Sequence, residues 1–174
     1  MKAKRTARRV AVLAALLALA SVLFIVESLL PPLLPMAPYV KIGLANAVVL
    51  FVIAVFGARD GFIFILAKNL LTALITGGTF ALAFNLAGSI SAYLVMAGLY
   101  LALFPKISLL SVSVAGAVVN NIARTAVGVL LMEAKSLYLQ LPVVSIFGAC
   151  AGIIVGALTI FMVKYLPERL TKSG

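Results

Sequence analysis

Long, continuous apolar stretches constrain this chain more than any other feature of its sequence. A bilayer core accepts only helices, which bond their backbones internally, or closed barrels. Barrel strands would appear as short segments alternating apolar and polar residues. The runs here are far longer and do not alternate, so helices are expected. Composition agrees: 65% of the residues are hydrophobic and only 10% charged, with mean hydropathy +1.27. A soluble domain carries about 25% charged residues. Too few charges exist here to build a water-facing surface, and lipid is expected to cover most of the outside.

A spanning helix needs roughly 20 apolar residues, fewer where neighbouring protein shields its ends. Six candidates follow, at about 10–30, 39–56, 61–75, 80–103, 107–132 and 142–166. The expected fold is an all-α integral membrane protein, a six-helix bundle forming a single transmembrane domain over 1–174. The third helix is expected to be the shortest. Pro31, Pro32, Pro35 and Pro38 stop the first helix and impose an irregular connection. Gly57-Ala58-Arg59-Asp60, Thr76-Gly77-Gly78-Thr79, Pro105-Lys106 and Glu133-Ala134-Lys135-Ser136 punctuate the rest. Ala18-Leu19-Ala20, after a basic leader, resembles a signal cleavage site. The apolar run continues to Leu34, however, so the first stretch is read as a retained span.

Charge fixes the expected orientation. With the amino terminus inside, the cytoplasmic ends carry Lys2, Lys4, Arg5, Arg8, Arg9, Arg59, Lys106, Lys164, Arg169 and Lys172. The outer connections carry only Lys41 and Lys135, and Lys68 and Arg124 fall within spans. This positive-inside asymmetry places both termini in the cytoplasm and favours an even number of spans in the cell membrane. The net charge of +10 is thereby assigned to membrane orientation, and nucleic acid is not expected as a partner.

Function is expected where polar side chains occupy the membrane at a cost. A charge at the centre of a membrane helix costs at least about 2.5–3.5 kcal/mol on insertion scales. The candidates are Glu27, Lys68 and Arg124, with Asn46, Asn69, Asn85, Asn120 and Asn121, and Lys41 at the outer mouth of the second helix. On the expected topology they gather in the outer half of the bundle, the pattern of a pocket open to the outside. Lys41, Lys68 and Arg124 against Glu27 leave two positive charges in excess, which an anionic ligand would balance. Lys68 and Arg124 are expected to pair with that ligand and Glu27 to orient one of them. The plainer alternative is that the amides bridge helices and the charges form a structural cluster.

Two small-residue patterns concern packing. Ala7, Ala11 and Ala15 recur every four residues on the first helix, as Gly148, Gly152 and Gly156 do on the sixth. Such faces let helix backbones approach closely. Internal packing is the default reading of both patterns, and a docking surface for another membrane protein is the alternative, more plausible for the alanine face. Cys150 lies in an apolar run and is read as a small packing residue. With no His and a single Cys, neither an internal disulfide nor a metal site is expected. Asp60 is the only Asp, and Glu27, Glu133 and Glu168 are scattered. No general acid–base pair, nucleophile–base pair or phosphate-gripping Gly-rich motif with Lys can be assembled. Neither catalysis nor a cofactor is expected.

Lys41-Ile42-Gly43-Leu44-Ala45-Asn46, Asn85-Leu86-Ala87-Gly88 and Val112–Asn121, with the proline-rich loop, resemble the Gx transporter family, whose members are often labelled heptaprenyl diphosphate synthase component I. The likeness covers roughly residues 10 to 160. That family is similar to the substrate-binding S-components of energy-coupling factor transporters. The resemblance implies six helices, a ligand site near the outer face and a first loop acting as a lid. It also implies docking of the first helix, through Ala7, Ala11 and Ala15, on a transmembrane coupling protein driven by two ATPases. Asn120 stands where that family commonly has His, Arg124 where it has Gln, and Lys68 where it has Arg, which bears on the identity of the ligand. A diphosphate-transferring enzyme would need clustered carboxylates to hold Mg²⁺, and these are lacking. The expected function is the substrate-binding membrane subunit of a transporter, capturing a small anionic or isoprenoid-, quinone- or vitamin-like ligand from the outer side. The alternative is a non-catalytic accessory subunit for polyprenyl diphosphate or quinone synthesis, and a third is a structural subunit of a larger complex.

Overall fold

The computed structural model describes residues 2–31, 40–76 and 79–165. They form α1 (Lys2–Leu29), α2 (Leu44–Phe56), α3 (Ala58–Thr76), α4 (Thr79–Leu103), α5 (Leu109–Met132) and α6 (Leu141–Tyr165), with a 3-10 segment at Lys135–Gln140. Among the described residues, four spans are long and apolar enough to cross a membrane, Ala7–Leu29, Leu82–Leu103, Leu109–Met132 and Lys135–Tyr165. They mark a multi-pass membrane protein. Consistent with lipid outside, large apolar side chains such as Leu70, Leu74, Leu101, Leu130 and Ile146 point outward.

The helices run up and down. Arg9 near the start of α1 reaches Phe56 at the end of α2 and Asp60 at the start of α3. Glu27 near the end of α1 meets Gly43 and Leu44 at the start of α2. Along α5 and α6, Gly148, Gly152 and Gly156 face the Cα atoms of Val118, Val114 and Leu110 in turn. That stepwise antiparallel register bears out the internal-packing reading of the glycines. Ser113 locks it by donating to Gly152 O at 2.8 Å.

The shortest helix is α2, at 13 residues, rather than α3, which has 19. The cause is its position. α2 touches α1, α3, α4 and α6, and Val48 through Ile53 are 0% exposed. A helix that is apolar all round belongs inside a bundle, and one shielded from lipid needs no full bilayer length. Its last carbonyls, unpaired within the helix, are taken by neighbours: Tyr100 Oη donates to Ala54 O at 3.2 Å and Arg9 to Phe56 O at 3.2 Å. Gly57 alone makes the α2–α3 turn, at φ +97°, a conformation that side chains rarely tolerate.

Other boundaries shift for local reasons. α1 begins within the basic leader rather than at residue 10, because Lys, Arg and Ala are good helix formers and nothing interrupts them. Ser108 caps α5, accepting from Ser111 N at 3.1 Å, so that helix starts two residues later than expected. Pro142 sits in the first turn of α6, where its missing N–H leaves no bond unmade. The Gly77-Gly78 turn, most of the Pro31–Pro38 loop and the tail bearing Arg169 and Lys172 lie outside the described residues.

Candidate functional site

Five helices converge at the Glu27 end of the bundle. Glu27, Lys41, Asn46, Lys68, Asn85, Asn120 and Arg124 line one cavity, joined by Phe24, Gly43 and Ser89. Seven of the nine expected residues are thus brought together. Asn69 and Asn121 stand behind the wall. Asn69 Oδ1 accepts from Ser89 Oγ at 3.2 Å, and Asn121 Oδ1 from Lys41 N at 3.4 Å. Ser89 carried no signal in the sequence, since a serine in an apolar helix usually bonds its own backbone. Here it instead accepts from Lys68 Nζ at 3.2 Å.

Among the described residues, the Glu27 carboxylate makes no hydrogen bond or ion pair to a cation. Oε1 accepts from Gly43 N at 2.7 Å and Oε2 from Leu44 N at 3.1 Å. It therefore caps α2, where free amides and the helix dipole favour a negative group. Gly43 makes this approach possible with φ +82°, and a Cβ there would lie 2.8 Å from Asn46 Nδ2. Among the described residues the ion pair is Arg9–Asp60, and none involves Glu27. Glu27→Ala should lower stability by roughly 1.5–3 kcal/mol, since two amides bonded to a charged acceptor lose it together. Thermal melts in detergent check this, with Glu27→Gln expected to be milder.

The cations have fewer partners than they can use. Lys68 is 2% exposed and Arg124 5%. Lys68, with three donors, has the single Ser89 bond described above. Arg124 donates to Asn85 Oδ1, while its Nε finds no partner among the described residues, nor do Asn120 Oδ1 and Asn69 Nδ2. Space for Arg124 comes from Gly88, where a Cβ would lie 3.0 Å from Arg124 Cγ. Lys41 lies 4.1 Å above the Phe24 ring and donates to Ser28 Oγ. Burial, then the charge of Arg124, presses the Lys41 ammonium down to about 8, against a smaller upward pull from Glu27.

The cavity volume is about 20 Å³, room for about one water. A larger guest therefore requires the wall to move. At the opposite end, Ala7, Ala11 and Ala15 are exposed along α1. Among the described residues no cluster of His, Cys, Asp and Glu could hold a metal.

No curated protein and no solved structure matches this chain. Residues 16–162 match the family described as heptaprenyl diphosphate synthase component I. The match takes in every residue lining this polar cavity and most of the chain, which therefore belongs to the heptaprenyl diphosphate synthase component I family.

Proposed function

We propose that this protein is the substrate-binding membrane subunit of a transporter, with a six-span topology and both termini in the cytoplasm. It captures a small anionic ligand from the outer side, in the cavity between α1, α2, α3, α4 and α5. The observation that carries this reading is the surplus of buried cations. Lys41, Lys68 and Arg124 surround a space whose one carboxylate, Glu27, is occupied by backbone amides. Buried charge without a counter-charge is costly, and a guest anion supplies one.

Glu27, Asn46, Asn85, Asn120 and Ser89 shape the cavity, with Asn69 and Asn121 bracing it from behind. Lys41 belongs to the segment entering α2, and its ammonium rests on Ser28 and Phe24. Swinging that side chain outward opens the cavity most cheaply, and its return onto the bound anion would close it. The exposed Ala7, Ala11 and Ala15 face would dock a transmembrane coupling protein carrying two ATPases, since this chain has no nucleotide-binding loop. Small residues there allow close helix contact.

The test is saturable thermal stabilisation of the purified full chain by a panel of carboxylates, phosphates and diphosphates. Absence of saturation by every anion would sink the reading. The pH dependence follows from Lys41. Its protonated form is lost as pH rises through about 8, so anion affinity should fall over pH 7.5–9. The stability of the free protein should rise between about 8 and 10.5, because the folded state sheds this proton before the unfolded chain does. Lys41→Met should make both profiles shallower.

The family description favours a second reading, a non-catalytic membrane subunit assisting polyprenyl diphosphate synthesis. Copurification with a soluble prenyl synthase, without any saturating anion, would support it over transport.

A further inference from the structure

A second cavity, separate from the polar one, opens towards the Arg9 end of the bundle. Val10, Leu13, Ala14 and Leu17 of α1 face Ile63, Phe64 and Ala67 of α3 across a groove of about 240 Å³, with Asp60 at one end. The lining is otherwise apolar. Asp60 is neutralised by Arg9, which bonds it through Nε at 3.0 Å. Arg8 and Arg59 flank this pair in sequence and are exposed. The apolar groove thus ends in a net positive cluster.

We infer that this groove holds one acyl chain of an anionic phospholipid, whose headgroup rests on Arg8 and Arg59. Dimensions favour a single hydrocarbon chain. From Val10 to Leu17 the α1 wall runs about 10 Å, against about 15 Å for one leaflet of a bilayer core. Spread along that wall, about 240 Å³ leaves a cross-section of roughly 24 Å², well below that of a helix about 10–12 Å across with its side chains. Depth agrees as well: the charged end lies at the start of α1 and α3, and the apolar part extends inward from it. The electrostatics select the headgroup, since basic residues at a membrane surface attract anionic lipid. Ala14 borders both the groove and the exposed alanine face, so the bound chain would lie beside that face.

Native mass spectrometry of the full chain, loaded with phosphatidylglycerol or phosphatidylcholine of identical chains, tests this. Phosphatidylglycerol should be retained preferentially. The double variant Arg8→Gln, Arg59→Gln should lose that preference by about 5-fold for each arginine removed, while still retaining lipid. Ala14→Phe, or Ala67→Phe on the opposite wall should the first not fold, should displace lipid of either headgroup. Equal retention of the two lipids by the unaltered protein overturns the inference. So does unchanged phosphatidylglycerol retention in a folded groove-filling variant, which would leave the groove to a protein partner.

Discussion

Lys68→Met is expected to weaken anion binding severely and, at the same time, to make the ligand-free protein more stable. The ammonium is 2% exposed and has one protein bond, to Ser89. Methionine keeps much of the volume and removes the charge, while Ser89 keeps its bond to Asn69. Replacing buried charge by apolar groups of similar size is often stabilising, by about 1–4 kcal/mol. Binding should weaken roughly 30-fold or more, the loss usual when one side of a buried charge contact is removed. Arg124→Met should weaken binding similarly with less gain in stability, because Asn85 Oδ1 then loses its donor. A lysine retained only for structure predicts the opposite sign. If Lys68→Met melts at a lower temperature and anions bind it as they bind the parent, the transport reading is wrong.

Gly152→Leu is expected to prevent the native bundle from forming, and Gly152→Ala to cost about 1–3 kcal/mol. A Cβ at Gly152 would lie 2.5 Å from Val114 Cα and 3.1 Å from both Ala117 Cβ and Ser113 O. Two of these obstacles are backbone atoms, so relief requires α5 and α6 to separate. That would also break the Ser113 bond to Gly152 O and shift Asn120, Asn121 and Arg124 on α5. The control is Gly98, an exposed position of α4 with nothing within 4 Å of its added Cβ. Gly98→Ala should be neutral or stabilising by up to about 1 kcal/mol. Denaturation in mixed micelles compares the pair. Equal stability of the two alanine variants would show that the glycine seam does not set the α5–α6 distance.

Much of the architecture could be read from residue order. Continuous apolar runs imply helices, and proline and glycine clusters mark most of their ends. The cavity was also legible in outline, because charges and amides in apolar helices are rare enough to count. What escaped was pairing. Glu27 among lysines and an arginine reads as an ion-pair partner, yet Gly43 N and Leu44 N occupy it. The amides at the start of a helix attract an anion, but every backbone carries amides, so composition cannot reveal which carboxylate they take. Ser89 escaped for the converse reason, a residue too ordinary in such helices to attract notice.

Helix type, the membrane environment and the set of costly polar residues were determined by sequence alone, because each follows from transfer energies and spacing along one chain. The inner place of the 13-residue α2, the division of seven cavity-lining residues from two bracing ones, and the small volume between them were decided only by tertiary structure. These depend on which faces of separate helices meet. Distances across a bundle are set by packing between residues far apart in the chain, and no local pattern encodes them.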